Sequence, residues 1–124
     1  MKFVIQIAPR TKKNSQQVFR GPNGRIFIAP SKAYQTYEKD ARFFLPKLRE
    51  PIRRPVNVKA VFYMPTRRRV DLVNLEEALC DVLVHHGILE DDNYRIIQSM
   101  DGSRVEYDKN NPRTEVEITE AFDE

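Results

Sequence analysis

The stretch NVKAVFYM-PTRRRVDLV-NLEEALCDVLVHHG, Asn57 to Gly87, decides the architecture. Its first eight residues put Val58, Ala60, Phe62 and Met64 at alternate positions, the period-two pattern of a strand with one buried face. After the loop at 65–73 the period changes. Leu75, Ala78, Leu79, Val82, Leu83 and His86 recur at three- and four-residue spacing, the apolar stripe of a helix. Asn74 with Glu77 three residues later reads as a capping box that starts this helix. Gly87 suits the left-handed position just past its end.

Outward from this stretch the same reasoning assigns the rest. Lys2 to Ile7 alternates and predicts a strand. Val18–Arg20 and Arg25–Ile28 flank Gly21-Pro22-Asn23-Gly24, a hairpin signal because Asn-Gly tolerates positive φ. Ser31 can cap a helix running to Phe44 or Leu45, with Tyr34, Tyr37, Ala41 and Phe44 or Leu45 as its apolar stripe. Pro46, Pro51 and Pro55 mark an irregular connection. Beyond the second helix, 88–93 reads as a short acidic turn, and Arg95–Met100 and Thr114–Thr119 as two closing strands. Strands and helices mix without a βαβ rhythm. The expected fold is therefore α+β, a small mixed β-sheet with two main helices, as one domain over 1–124.

A chain of 124 residues with 40% hydrophobic content is long enough to bury a core without disulfides or a structural metal. No run approaches the 18 or so apolar residues of a membrane span. The start lacks a signal-peptide pattern, and Cys80, the one cysteine, cannot form an internal disulfide. The expected location is the cytoplasm, with no membrane partner. The net charge of +3 hides a polarity: residues 1–70 carry seventeen Lys and Arg against three acids, and residues 71–124 four against fifteen. Such asymmetry suggests a polyanion partner for the basic half. Carboxylates beside a phosphate-binding surface make sense when they hold a hard divalent cation. The bland alternative is that the two halves pair their charges with each other.

The chemistry concentrates in residues 64–102. Arg67, Arg68 and Arg69 suit phosphate, which arginine grips through a planar fork of donors; Lys12 and Lys13 are further candidates. Asp71 stands directly before the helix, and Asp91 and Asp92 come after it. A helix of about 13 residues is roughly 20 Å long, so Asp71 and Asp92 meet only if 89–92 folds back along it or across a dimer. Joined by Glu76 or Glu77, they would bind Mg²⁺, which polarises a phosphodiester and acidifies an attacking water. Plainer readings stand beside these. Glu77 is explained as a capping-box acid, Glu76 as a first-turn acid, and His85 and His86 as partners of the helix C-terminus. Cys80 and Val84 suggest a minor packing or dimer face, and Tyr34, Tyr37, Phe43 and Phe44 are expected in the helix core.

Met64-Pro-x-Arg-Arg-Arg-x-Asp-Leu-x-Asn-Leu, then a helix, then Gly87-x-Leu-x-Asp-Asp92 resembles the RusA-type Holliday junction resolvases of prophages. Pro9 to Asn14 looks like that family's Pro-x-x-x-Asn loop, and Thr114–Thr119 like its closing strand. The resemblance implies a small homodimer, bacterial or phage-encoded, that nicks four-way DNA junctions symmetrically with Mg²⁺, for which Mn²⁺ can substitute. It implies that Asp71 and Asp92 are catalytic metal ligands with Asp91 beside them. Two positions depart from the pattern. The second aspartate of the family's Asp-x-Asp-Asn motif is Val73, and its helix lysine is Glu77. Glu77 then stands in as a catalytic carboxylate, with Glu76 or Asp101 as alternatives. Arg67, Arg68, Arg69, Lys12, Lys13, Asn14 and Asn74 form the expected DNA-binding set. The reading is a Mg²⁺-dependent endodeoxyribonuclease of recombination and repair that resolves branched DNA. A junction binder that has lost cleavage through Val73 and Glu77 is the alternative, and an acidic–basic interaction module is a third.

Overall fold

Nine residues of alternating character, Val56–Met64, form the long central strand, β4, and every other element is placed by it. The computed structural model describes residues 1–12 and 16–121, with the backbone alone at 16, 17, 19 and 27–30. In chain order the elements are β1 (Lys2–Ile5), β2 (Gln16–Arg20), β3 (Ile26–Pro30), α1 (Lys32–Ala41), β4, α2 (Leu72–His85), β5 (Ile97–Ser99), β6 (Arg104–Tyr107) and β7 (Arg113–Glu120). β7 lies antiparallel between β1 and β4. On its other side β4 pairs in parallel with β5 along its first residues and with β6 along its last. The sheet is mixed and the class α+β, as the periodicities predict.

Val56, Val58, Ala60 and Phe62 point from β4 into a core shared with Val116 and Ile118 of β7, Tyr34, Tyr37 and Ala41 of α1, and Leu75, Leu79 and Leu83 of α2. The Ser31 hydroxyl caps α1 by accepting from the Tyr34 N–H (3.3 Å). β2 and β3 pair as the predicted hairpin, with Asn23 at φ 67° and Gly24 at φ 73° turning the corner.

Three expectations are corrected. α2 begins at Leu72 with Asp71 as its N-cap residue, so the Asn74–Glu77 capping box does not form. Asn74 sits in the first turn, where its Nδ2 donates to Asp71 Oδ2 (3.2 Å). Phe43 is 69% exposed, covered on one face by the Arg42 guanidinium rather than packed in the core; Tyr34 and Tyr37 are buried as expected. Finally, β6 has no counterpart among the expected strands. Arg104-Val105-Glu106-Tyr107 does alternate, but over four residues that all stay exposed, too short a run to separate a strand from a loop.

The end of α2 sets the path of the returning chain. Gly87, at φ 75°, lets its N–H reach Val84 O (3.1 Å) while Ile88 N–H reaches Leu83 O (2.9 Å), the paired bonds of a Schellman turn. The chain reverses there. Ile52 N–H then donates to Ile88 O (2.9 Å) and Glu90 N–H to Ile52 O (3.0 Å), fastening the returning segment to the proline-rich connection.

Candidate nucleic-acid interface and acidic cleft

The loop from β4 to α2 carries the basic cluster. Arg67, Arg68 and Arg69 are all exposed, and among the described residues none of them makes an ion pair. The Asp71 carboxylate, which could have neutralised them, is engaged instead by the Asn74 amide. Arg67 lies over the ring of Tyr107 in β6, with its guanidinium carbon 4.2 Å from the ring centroid. Val73, in the first turn of α2, is 70% exposed.

Elsewhere the two charged halves do pair. Lys12 Nζ stands 2.7 Å from Asp81 Oδ2, Arg53 Nε 3.2 Å from Glu90 Oε1, and Arg54 Nε 2.6 Å from Glu120 Oε1. The bland account of the charge asymmetry therefore holds at these positions and fails at 67–69.

The reversal after α2 brings Asp91 and Asp92 back alongside the helix. They share a cleft of about 390 Å³ with Asp81, Val84 and His85 of α2, Glu38 of α1, and Lys12. The turn is built by its own side chains. Asp91 Oδ1 accepts from the Asp92 N–H (2.7 Å), Asp91 Oδ2 from Asn93 Nδ2 (3.2 Å), and Asn93 Oδ1 from the Arg95 N–H (2.9 Å). His86 Nε2 donates to Glu38 O (2.7 Å), which ties α1 to the end of α2 and so fixes the cleft's far wall. His85 Nε2 lies 3.4 Å from Glu38 Oε1.

The electrostatics of the cleft are those of crowded carboxylates. The Asp92 carboxyl is held above its ordinary range, first by partial burial, then by its hydrogen bond with Asp91 and the charges of Asp91 and Asp81. Burial, with Asp92, Glu76 and Asp81 nearby, pushes the Cys80 thiol up to about 12, so it is an inert buried group. Burial raises Glu76 as well.

The expected site residues thus separate. Asp91 and Asp92 are together, and with them is Asp81, which the sequence reasoning does not single out. Asp71 is ten residues, about 15 Å of helical rise, before Asp81. Glu77 is exposed on α2, beyond the capping position assigned to it. Asp101 lies at the turn into β6, bonded through its backbone to Asn57. Lys13 and Asn14 lie outside the described residues. A sequence signal for Asp81 does exist: Glu77, Asp81 and His85 recur every four residues, a polar row on one face of α2.

Asp92, crowded by Asp91 and Asp81, offers the oxygen donor chemistry of a hard cation site, and Mg²⁺ needs only one or two carboxylates with waters. Among the described residues no three His, Cys, Asp or Glu side chains stand close enough together to grip an ion on their own. An ion held in the cleft would therefore have one or two carboxylate ligands and keep most of its waters. No helix among the described residues is long and apolar enough to cross a membrane. Comparison with known families matches residues 6–119 to the family described as Endodeoxyribonuclease RusA. Comparison with curated proteins finds no match.

Proposed function

The chain belongs to the RusA endodeoxyribonuclease family, and from that premise we propose that it resolves Holliday junctions and other branched DNA by metal-dependent nicking. The proposed setting is recombination and repair in the cytoplasm, with the chain acting as a one-domain subunit of a homodimer, because resolution requires two cuts. The observation that carries the reading is the layout of α2: an arginine loop without ion partners among the described residues stands at its start, and a carboxylate cleft lies along it.

In this reading Arg67, Arg68 and Arg69 take backbone phosphates, with Lys12, Lys13 and Asn14 contributing from the N-terminal loop. Asp92 and Asp91 hold the divalent cation, Mg²⁺ or Mn²⁺. Asp71, which the family pattern also assigns to the ion but which does not line the cleft, joins them when DNA and the second subunit of the homodimer are bound, and Glu77 supports them from the same helix. Asn74, whose amide is engaged by Asp71, orients that carboxylate. The ion, when bound, polarises the phosphodiester and lowers the pKa of the attacking water. The residues supply position: the Asp91–Asn93 hydrogen bonds hold the turn in one conformation before any ligand arrives.

One observation favours a second reading. Val73, at the position of the family's second motif aspartate, is apolar and exposed, so no carboxylate stands there. A junction-binding protein without cleavage would have this arrangement.

Cleavage of a labelled four-way junction against linear duplex, with and without Mg²⁺ or Mn²⁺, decides between them. Paired junction nicks that need the ion, and fall about a thousand-fold in Asp92→Asn with binding retained, are the expected result. Asp71→Asn is expected to behave alike. Tight junction binding without nicking in either metal ion establishes the binder. No preference for the junction overturns both.

A further inference from the structure

Beside the arginine loop, β6 offers an aromatic surface that phosphate binding alone does not use. Register places Val105 opposite Phe62 and Tyr107 opposite Met64, so both side chains leave the sheet on the face that carries the core, beyond its edge. Both are exposed there, Tyr107 at 41%. Arg67, Arg68, Met64, Val105 and Tyr107 line a cleft of about 470 Å³, within the size range that holds a small ligand. Its one carboxylate, Glu106, is held by Arg104 Nε (2.8 Å).

A second arginine–tyrosine stack in the same sheet shows what is unusual about this one. Arg113 lies 3.7 Å from the ring centroid of Tyr63. Its Nε donates to Glu115 Oε2 (3.0 Å), and its Nη1 donates to Asp108 Oδ2 (3.0 Å) and Asn111 O (2.9 Å). That guanidinium is only 16% exposed and its donors are committed. The Arg67 guanidinium has the same stacking partner chemistry, yet among the described residues it has no carboxylate or carbonyl to donate to. A stack that is solely structural would be completed like Arg113. An open one presents free N–H donors beside the part of the ring that the guanidinium leaves uncovered, and Tyr107 keeps 41% of its surface exposed.

We infer that Tyr107, Val105 and Arg67 form a subsite for one unpaired nucleotide, with the base stacked against Tyr107 and its phosphate on Arg67 and Arg68. The ring and the exposed valine suit a base, which stacks on aromatic groups irrespective of its identity. The charge suits the phosphate attached to it. Duplex DNA keeps its base faces covered, so the ligand is a single-stranded segment or an opened branch point. The inference rests on the nuclease reading only for which DNA supplies that strand.

The test uses the full-length protein and a ten-nucleotide single strand carrying 2-aminopurine, with its duplex as control. The wild type is expected to change the 2-aminopurine emission on binding and to prefer the single strand. Tyr107→Ala should bind it about ten-fold more weakly, the scale of one lost base–aromatic stack, with duplex affinity unchanged. Tyr107→Phe, which keeps the ring, should behave as wild type and guards against a folding artefact. Arg67→Lys, which keeps the charge without the plane, should lose the emission change. Equal affinity of Tyr107→Ala and wild type, or of an abasic and an intact strand, overturns the inference. If the wild type shows no preference for junctions but the Tyr107 effect on the single strand persists, the nuclease reading fails and the subsite stands.

Discussion

The two ends of α2 differ in sign and in how far the protein satisfies its own groups. At the start, three exposed arginines have no ion partner among the described residues, and the one adjacent carboxylate is engaged by Asn74. At the far end, nearly every polar group has an internal use. A Schellman turn closes the helix, Asp91 and Asn93 lock the next turn, His86 ties α1 down, and Lys12 meets Asp81. What remains strained at that end is charge, since Asp92 faces Asp91 and Asp81. The contrast teaches that free donors and crowded acceptors are two forms of unfinished business on one rigid element. Under the proposed function phosphate would complete the first and a divalent cation the second.

The largest effect that can break this contrast is expected at the basic end. Replacing Arg67, Arg68 and Arg69 together by alanine should make log affinity for DNA less steep in log salt by about three units, one for each lost phosphate contact. The expected result is a large loss of binding at low salt that shrinks as salt rises, measured by fluorescence anisotropy across a NaCl series. An unchanged slope would mean that these arginines do not touch phosphate. The asymmetry between the ends would then have no bearing on DNA.

How much of this is legible in the sequence depends on whether a residue's role is local. The strand–helix switch at 57–87, the Ser31 cap, the Asn23-Gly24 turn and Gly87 as the helix terminator all declare themselves within a few residues, and the structure has them. The cap of α2 is displaced by three residues from the expected one because Asn74-x-x-Glu77 mimics a capping box, while the actual cap, Asp71, makes no side-chain bond to the helix backbone. β6 escapes a sequence reading because its alternation spans only four residues, all exposed, and its place comes from pairing with β4. The acidic cleft is half legible. Asp91 and Asp92 stand out as a pair, but that they meet Asp81 and Lys12 depends on a chain reversal and a contact between residues 69 apart. The Tyr107 stack on Arg67 is long-range in the same way and leaves no trace in spacing.

A middle-sized effect tests whether the turn at the acidic end is as determined as its hydrogen bonds imply. Gly87 has open space around a would-be Cβ, so its requirement is φ 75° alone. Gly87→Ala should therefore cost about 1–2 kcal/mol through the left-handed backbone penalty, without a steric clash. Thermal melts check the size, and hydrogen exchange at Ile88 and Leu89 checks the place. The same substitution should leave phosphate binding at 67–69 unaltered, because the basic end does not depend on the reversal.

The smallest effect separates crowded carboxylates from ordinary surface acids. A carboxyl whose folded pKa is raised binds its proton more tightly in the folded state, so it favours folding at low pH and opposes it as pH rises past the unfolded value of 3.8. Above the folded pKa the penalty is complete and constant. Asp92→Asn removes it. The variant is thus expected to melt slightly higher than wild type at pH 7, with the advantage gone near pH 3, where both forms are uncharged at this position. The shift should be small because Asp92 is exposed to screening water. A divalent cation should raise the melting temperature of the wild type and not that of Asp92→Asn, since only the wild type has the repulsion for the ion to relieve. A variant that melts lower than wild type at pH 7 would show that Asp92 is held by hydrogen bonds that outweigh its charged neighbours. The acidic end would then be as settled as the rest of its turn, and the ion would have to be sought nearer Asp71.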